Sequence, residues 1–225
     1  MKDLLKQQIP ALTEEACDKL VVYYKLLMEW NERINLTAIT DPLDVAQKHF
    51  ADSLAALPYL TQGAKIADIG TGAGFPGVPL LIVRPDFRVT LCDSLKKRIS
   101  FLELLCRELD LKAECIHARA EDLGQSPQHR GKYDFALTRA VASLPVLLEL
   151  TLPLVRVGGK SICYKGDAAE ELQKAQNALR VLQAKAYVEP ILSTWGERNL
   201  IICTKKAPID GQYPRKAGVP SKSPL

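Results

Sequence analysis

Asp68, Asp93, Glu121 and Arg139 each stand at or just beyond the end of a short apolar run, and Gly70, Gly72 and Gly74 crowd the stretch after the first. These residue types suit one task. A carboxylate just before a glycine turn can accept a hydrogen bond from a cationic amino group. The glycines let the backbone turn sharply and approach a ligand with no side chain between. A carboxylate that closes the next run, as Asp93 does after Val89-Thr90-Leu91-Cys92, can take both hydroxyls of a ribose. In Ala120-Glu121-Asp122 an acid and a backbone amide can read the amino group and ring nitrogen of adenine. Together they describe a site for a nucleoside-bearing cofactor, with the cation Arg139 beside it.

Two cofactors compete for such a site. Gly72-Ala73-Gly74-Phe75-Pro76-Gly77 formally matches G-x-G-x-x-G, the dinucleotide fingerprint, which is weak evidence alone. Phe75-Pro76 fills the place where a pyrophosphate needs free amides. Pro76 has no N–H to give, and the residue before a proline is pushed away from helical geometry. Asp68 would sit badly beside a phosphate and well beside the amino-acid end of S-adenosylmethionine. The pattern favours S-adenosylmethionine over NAD.

These residues need a scaffold that gathers strand ends. From residue 64 the apolar pattern alternates, with strands expected over 64–69, 88–92, 113–118, 133–138, 160–165, 185–192 and 199–204. Helices are expected over 77–83, 95–109, 143–155 and 167–184. Alternation predicts an α/β fold: a doubly wound, seven-stranded, mainly parallel sheet with right-handed crossovers. The last two strands read as an antiparallel hairpin at one edge. This matches the Rossmann-like sheet of the class I S-adenosylmethionine-dependent methyltransferases. Ligands of such sheets sit beyond the C-terminal strand ends, where strand order reverses. Upstream, Thr13 reads as a helix N-cap followed by Glu14 and Glu15. Leu20, Tyr23, Tyr24, Leu27, Trp30 and Ile34 then recur at helical spacing. A second helix follows Asp41-Pro42 and runs through His49 to Leu57. The expected division is an N-terminal helical cap (1–62), the cofactor-binding domain (63–204) and a basic tail (205–225).

The composition is that of an ordinary globular chain, 47% apolar and 25% charged over 225 residues. No apolar run reaches the roughly 20 residues of a membrane span. The N-terminus lacks the apolar core of a secretion signal, so a cytoplasmic location is expected. The six cysteines form no C-x-x-C pair and the three histidines share no ligand spacing with them. Neither a metal site nor a disulfide framework is expected, and nothing demands more than a monomer. The net charge of +4 resides in the last 22 residues, where Lys205, Lys206, Arg215, Lys216 and Lys222 face a single acid, Asp210. A basic, proline-containing end on a neutral body suits a polyanion; a solvated tail is the plain alternative.

Several runs carry a family resemblance. DIGTGAGFPGVPL, VTLCDSLKKRISFL, HARAED and LTRAVASL closely resemble the bacterial RsmG (GidB) methyltransferases. So do NERINLTAI, HFADSLAAL, GERNLII and the terminal YPRKAGVPSKSPL, so the likeness runs nearly end to end. Its most specific parts are the GFPG turn, the Asp-Ser-Leu triplet at 93–95 and the YPR-x-AG-x-P-x-K-x-PL ending. Relatives often carry Ser-Arg-Ala-Phe where this chain has Thr138-Arg139-Ala140-Val141, a mild change. The resemblance implies methyl transfer from S-adenosylmethionine to N7 of one guanine in 16S ribosomal RNA, with naked RNA or the small subunit as partner. It also implies that Gly70, Phe75, Asp93, Ser94, Leu95, Ala120, Glu121 and Arg139 line the cofactor site.

Guanine N7 has a free lone pair in the neutral base, so no proton leaves it and no general base is required; no catalytic acid or base is assigned. Catalysis would rest on alignment, with reacting atoms ~3–3.5 Å apart. Phe75 is expected to wall the methionine chain and Arg139 to bind its carboxylate. Lys165 would face the RNA side of the crevice. Arg198, Lys205, Arg215, Lys216 and Lys222 would hold phosphates with salt-sensitive affinity. Lys96, Lys97 and Arg98 start a helix, where cations oppose the dipole, a hint of RNA contact. Trp30, Tyr23 and Tyr24 read as helix packing and His117 as a packed histidine. His49 and Asp52 sit three apart on one helix face, placed to interact with each other or to act over the cofactor pocket. Removing residues 205–225 is expected to weaken RNA binding and spare the cofactor. Competing readings are a methyltransferase for a small molecule or protein, a NAD(P)-binding oxidoreductase and a non-catalytic RNA-binding module.

Overall fold

The apolar runs pair into one seven-stranded sheet in a computed structural model that describes residues 1–139 and 142–225. Its strands are β1 (Lys65–Ile69), β2 (Arg88–Asp93), β3 (Ala113–His117), β4 (Tyr133–Arg139), β5 (Val155–Lys165), β6 (Ala184–Ile191) and β7 (Arg198–Lys205). The order is β3-β2-β1-β4-β5-β7-β6. Strands β1 to β5 pair with one another in parallel, whereas β7 is antiparallel to both β5 and β6. The expected doubly wound sheet with an antiparallel pair at one edge is what forms. Strand β5 begins earlier than expected because Val155 pairs with Tyr133 ahead of a register shift.

Alternate residues of the central strands feed two cores, as the period of two requires. Ile66, Phe135, Leu137, Ile162, Leu200 and Ile202 face one side. Ala67, Ile69, Ala136, Cys163, Ile201 and Cys203 face the other. Helices α1 (Lys2–Gln8), α2 (Glu14–Ile34), α5 (Gly77–Val83) and α6 (Lys96–Glu108) cover the first side. Helices α7 (Ala120–Gln125), α8 (Leu144–Thr151), α9 (Ala168–Lys174) and α10 (Gln176–Val181) cover the second. The front helices therefore share a core with the sheet: Leu20, Tyr23 and Leu27 of α2 are fully buried. Thr13 caps α2 by accepting from Ala16 N at 3.2 Å, as the sequence predicts, and Trp30 packs on Phe101.

Two departures from expectation matter locally. The segment after Asp41 is not one α-helix. It is α3 (Pro42–Asp44), a π-helical turn (Val45–Ala51) and α4 (Asp52–Leu54). The wide turn re-aims the residues it carries, and such turns often mark functional positions. The helix expected over 167–184 is interrupted where Ala175 N closes on Leu172 O, a tight three-residue bond that ends α9. Ala140 and Val141, which belong to the fourth strand's signature, lie outside the described residues. No helix among the described residues is long and apolar enough to cross a membrane.

Candidate active site

A cavity of about 490 Å³ opens beyond the C-terminal ends of β1, β2 and β4, where the strand order reverses. Its floor is backbone. Gly70 (φ +68°) and Gly72 (φ +61°) both line it, and a Cβ on Gly72 would meet nothing closer than Gly70 O at 4.0 Å. Gly74 does not line it. A Cβ there would fall 2.7 Å from Tyr23 Oη and 2.8 Å from Val78 Cγ2, so this glycine exists to seat the turn under α2. Tyr23, fully buried, also donates to Ala73 O. Its ring stacks on Phe75 at 5.2 Å, and the His49 ring lies on Phe75 at 4.4 Å. Phe75 is thus clamped, only 5% exposed, at one wall.

Asp93, Ser94, Ala120 and Glu121 line the wall beyond β2. Asp93 Oδ2 accepts from Gly72 N at 3.0 Å and Arg98 Nη1 at 3.1 Å, while Oδ1 accepts from Leu95 N at 2.9 Å. The carboxylate is pinned against the glycine turn with lone-pair capacity left for a ligand. Leu95 contributes that amide; its side chain is exposed and is not part of the wall. His117 was expected to be packed, but β3 is an edge strand and leaves it exposed, with Nε2 bonded to Ser94 O at 3.1 Å.

Asp68 is not on the cavity surface. It is fully buried beneath the turn, and its Oδ2 accepts from Thr71 Oγ1 at 2.7 Å and Gly77 N at 2.8 Å. Oδ1 has no hydrogen-bond partner. The carboxyl that was expected to meet a ligand's amino group instead ties the glycine turn to the start of α5. Burial raises it from 3.8 to about 6, against the pull of the Thr71 and Gly77 bonds. The unfolded chain therefore binds fewer protons than the folded one between these values. The stabilisation Asp68 offers is full at low pH and is lost as pH rises through about 6. Asp68→Asn should remove that downward slope; urea unfolding of both proteins between pH 4 and 7 measures it, and parallel curves would refute the assignment.

Arg139 projects from the end of β4 into a buried polar knot. Its Nη1 donates to Asp52 Oδ2 at 2.9 Å and Lys48 O at 3.1 Å, and its Nη2 to His49 Nδ1 at 3.2 Å. The guanidinium lies 5.0 Å from the centre of the Phe75 ring. Since His49 Nδ1 accepts, its proton sits on Nε2, 2.8 Å from Thr37 Oγ1. Burial, with the adjacent Arg139 charge, pulls His49 down to about 3, so the ring is neutral at physiological pH. Asp52, 1% exposed, also takes a forked bond from Arg198, at 2.8 and 2.9 Å. Two guanidiniums thus share one carboxylate, which leaves a surplus positive charge at this end of the cavity. The π-helical turn aims Lys48 O, His49 and Asp52 at Arg139 together. The sequence brought His49 and Asp52 to each other; the structure brings both to Arg139.

The expected phosphate-binding set fares differently. Arg198 is committed to Asp52. Lys165, at the end of β5, is paired with Glu171 at 2.8 Å and donates to Ala142 O. Lys205 is the last residue of β7, 6% exposed, and donates to Val155 O at 2.8 Å. Burial, with Arg130 nearby, lowers its pKa to about 8. Arg215 forks onto the fully buried Glu149, at 2.8 and 2.6 Å. These four cations are spent on the fold, so they are not available as surface phosphate contacts. Lys216 and Lys222 are exposed and take part in no ion pair among the described residues.

The final segment is no loose tail. Arg130 donates to the carbonyls of Ile209, Asp210 and Tyr213. Gln125 holds Gly211 O and Pro214 O. A short helix, α11 (Val219–Lys222), follows, and Ser221 lines the cavity. Reading the chain by strand ends missed Ser221, Thr37, Arg98 and Arg119 as cavity residues. Arg98 had a visible signal, five positions beyond Asp93; Ser221 had only the terminal SKSPL run.

Comparison with known proteins agrees with this geometry. The family model described as rRNA small subunit methyltransferase G matches residues 16–201. A ribosomal RNA small subunit methyltransferase G of Alkaliphilus oremlandii is 46% identical over 237 aligned positions, covering 100% of this chain and 99% of the relative. One of Halalkalibacterium halodurans is 49% identical over 224 positions, covering 96% and 93%. Among solved structures, an O-methyltransferase from Bacillus cereus in complex with SAH superposes with a TM-score of 0.61 at 16% identity, over 89% of this chain and 95% of that one. That last likeness concerns the fold alone. With its sheet and cavity in place and its sequence matched nearly end to end, the chain belongs to the rRNA small subunit methyltransferase G family.

Proposed function

We propose that this chain is a cytoplasmic, monomeric enzyme that transfers a methyl group from S-adenosylmethionine to N7 of a guanine in 16S ribosomal RNA, free or in the small subunit. One observation supports the reading above the rest: Asp93 and Arg139 flank β1 at the mouth of one cavity, with bare glycine backbone between them. A pinned carboxylate at one side fits a ribose. A surplus cation over an aromatic wall at the other fits a carboxylate or a purine. Glu121, 8% exposed, and the Ala120 amide suit the adenine edge. Bound there, S-adenosylmethionine supplies a sulfonium-activated methyl group.

The residues do the positioning. Gly70 and Gly72 admit the ligand close to the backbone, Phe75 walls its apolar chain, and Asp93, Ser94 and Glu121 hold the nucleoside. Asp68, Gly74 and Leu95 act through the turn, by holding its shape or orienting Asp93. Among the described residues His49 is no spare base: both its nitrogens are engaged, and burial beside Arg139 holds its pKa down to about 3. N7 of guanine needs none, because its lone pair is free. The test is to map N7-methylguanine in 16S RNA from cells with and without the protein, and in purified small subunits incubated with it. A guanine that stays methylated without the protein would sink the reading.

RNA contact falls to the exposed cations at the cavity rim. Ser94 and Ser221 both line the cavity, and Lys96, Lys97 and Lys222 follow close in the chain. Each phosphate contact contributes a slope of about one to the dependence of log affinity on log salt. Lys216→Gln combined with Lys222→Gln should lower that slope by about two while cofactor affinity stays put. Filter binding to a small-subunit RNA fragment at several salt concentrations reads it; an unchanged slope would clear the two lysines of the role.

A further inference from the structure

We infer that the C-terminal segment from Ala207 to Leu225 is a strap that completes the adenine end of the cofactor site, so that cofactor binding and strap docking stabilise each other. The inference rests on the reading of the cavity as a site for S-adenosylmethionine.

Two contacts tie the strap to the site itself. Gly218 N donates to Glu121 Oε1 at 2.8 Å, which fixes the carboxylate's orientation and leaves Oε2 for a ligand. Ser221, three residues on, forms part of the cavity wall. The other contacts hold the strap in place. Arg215 donates to both oxygens of Glu149, which is fully buried in α8, and to Ser223 O at 2.8 Å. Its backbone N also donates to Glu149 Oε1 at 2.8 Å. Pro214 packs so closely on Gly124 of α7 that a Cβ there would lie 2.7 Å from Pro214 Cγ. Helix α7 begins with Ala120 and Glu121, so the element that grips the strap is the one that presents the adenine edge. Arg215 is a positioning residue in this scheme; Gly218 and Ser221 touch the site.

The strap cannot then be removed without cost to the cofactor, contrary to the expectation drawn from its charge. Linkage gives the size a direct readout. If the detached strap weakens the cofactor by some factor, the bound cofactor suppresses strap detachment by the same factor. Trypsin reports detachment. The bond after Lys216 lies between Arg215, held by Glu149, and Gly218, held by Glu121, so the strap must peel away to be cut. When opening is fast relative to cleavage, the cutting rate follows the open population.

The experiment uses the full-length protein and S-adenosylhomocysteine. Calorimetry first establishes that it binds; no binding at all would fell the cofactor reading and not the strap alone. Cleavage after Lys216 should then slow at least about tenfold at saturating ligand. Arg215→Ala should weaken S-adenosylhomocysteine by a similar factor, with Arg215→Lys between the two, since a lysine cannot fork onto Glu149. Equal cleavage rates with and without bound ligand would overturn the strap's role. So would an Arg215→Ala protein that is cut faster yet binds the ligand within twofold of the original. Should that variant fail to fold, the protection measured on the unaltered protein decides.

Discussion

Asp93→Ala should weaken S-adenosylhomocysteine by about 100-fold or more, measured by calorimetry, with the fold intact by circular dichroism. The reasoning is additive at first order. Hydrogen bonds to a charged group contribute roughly 1.5–3 kcal/mol each, and each 1.4 kcal/mol is about tenfold. Two ribose hydroxyls on one carboxylate give the lower bound. The true loss should exceed it, because Asp93 Oδ2 also holds Gly72 N and so shapes the floor on which the ligand lies. Asp93→Asn retains one acceptor and should fall between. The loss should appear in KM for the cofactor, since the carboxylate lies away from the reacting atoms. A change below about fivefold would remove Asp93 from the site.

Asp52→Ala should be the most damaging single change to both stability and activity. It strips the shared carboxylate from Arg139 and Arg198, leaving two mostly buried guanidiniums without it. Breaking a buried ion pair from one side costs about 3–5 kcal/mol. For a domain of this size each kcal/mol moves Tm by about 2–4 °C, so a fall of roughly 6–20 °C is expected. Adding Arg139→Ala should restore part of that stability by removing one stranded charge, while methyl transfer stays lost. A calorimetric scan of the two single variants and the double variant measures the coupling. Additive losses would mean that Asp52 and Arg139 do not act as a unit.

The RNA side of the molecule separates charge from availability. From the sequence, Arg198, Lys205, Arg215, Lys216 and Lys222 are expected to hold phosphates. In the structure the first three are consumed by Asp52, Val155 O and Glu149, and only Lys216 and Lys222 remain exposed. A partner for a cation can come from anywhere in the chain: Glu149 lies 66 positions from Arg215, and Asp52 lies 146 from Arg198. Composition sees the charge and has no access to its neutralisation.

What the sequence determined by itself is what local rules control. Glycines at 70 and 72 require a turn that other residues resist, and Asp93 closes a strand whose partners follow from its apolar run. Those rules placed the seven strands, the hairpin edge and the strand-end cavity. The tertiary structure decided which way side chains face and what they meet. It turned Asp68 inward to brace the turn and gave Gly74 to packing under Tyr23. A π-helical turn swung His49 and Asp52 onto Arg139, and the basic end folded down as a strap across α7 and α8. Asp68 found its partners within nine positions, in Thr71 and Gly77, but the contacts of Arg139, Arg198 and Arg215 join residues far apart in the chain. There pairing is set by which buried polar groups can satisfy one another, and no spacing along the sequence encodes that.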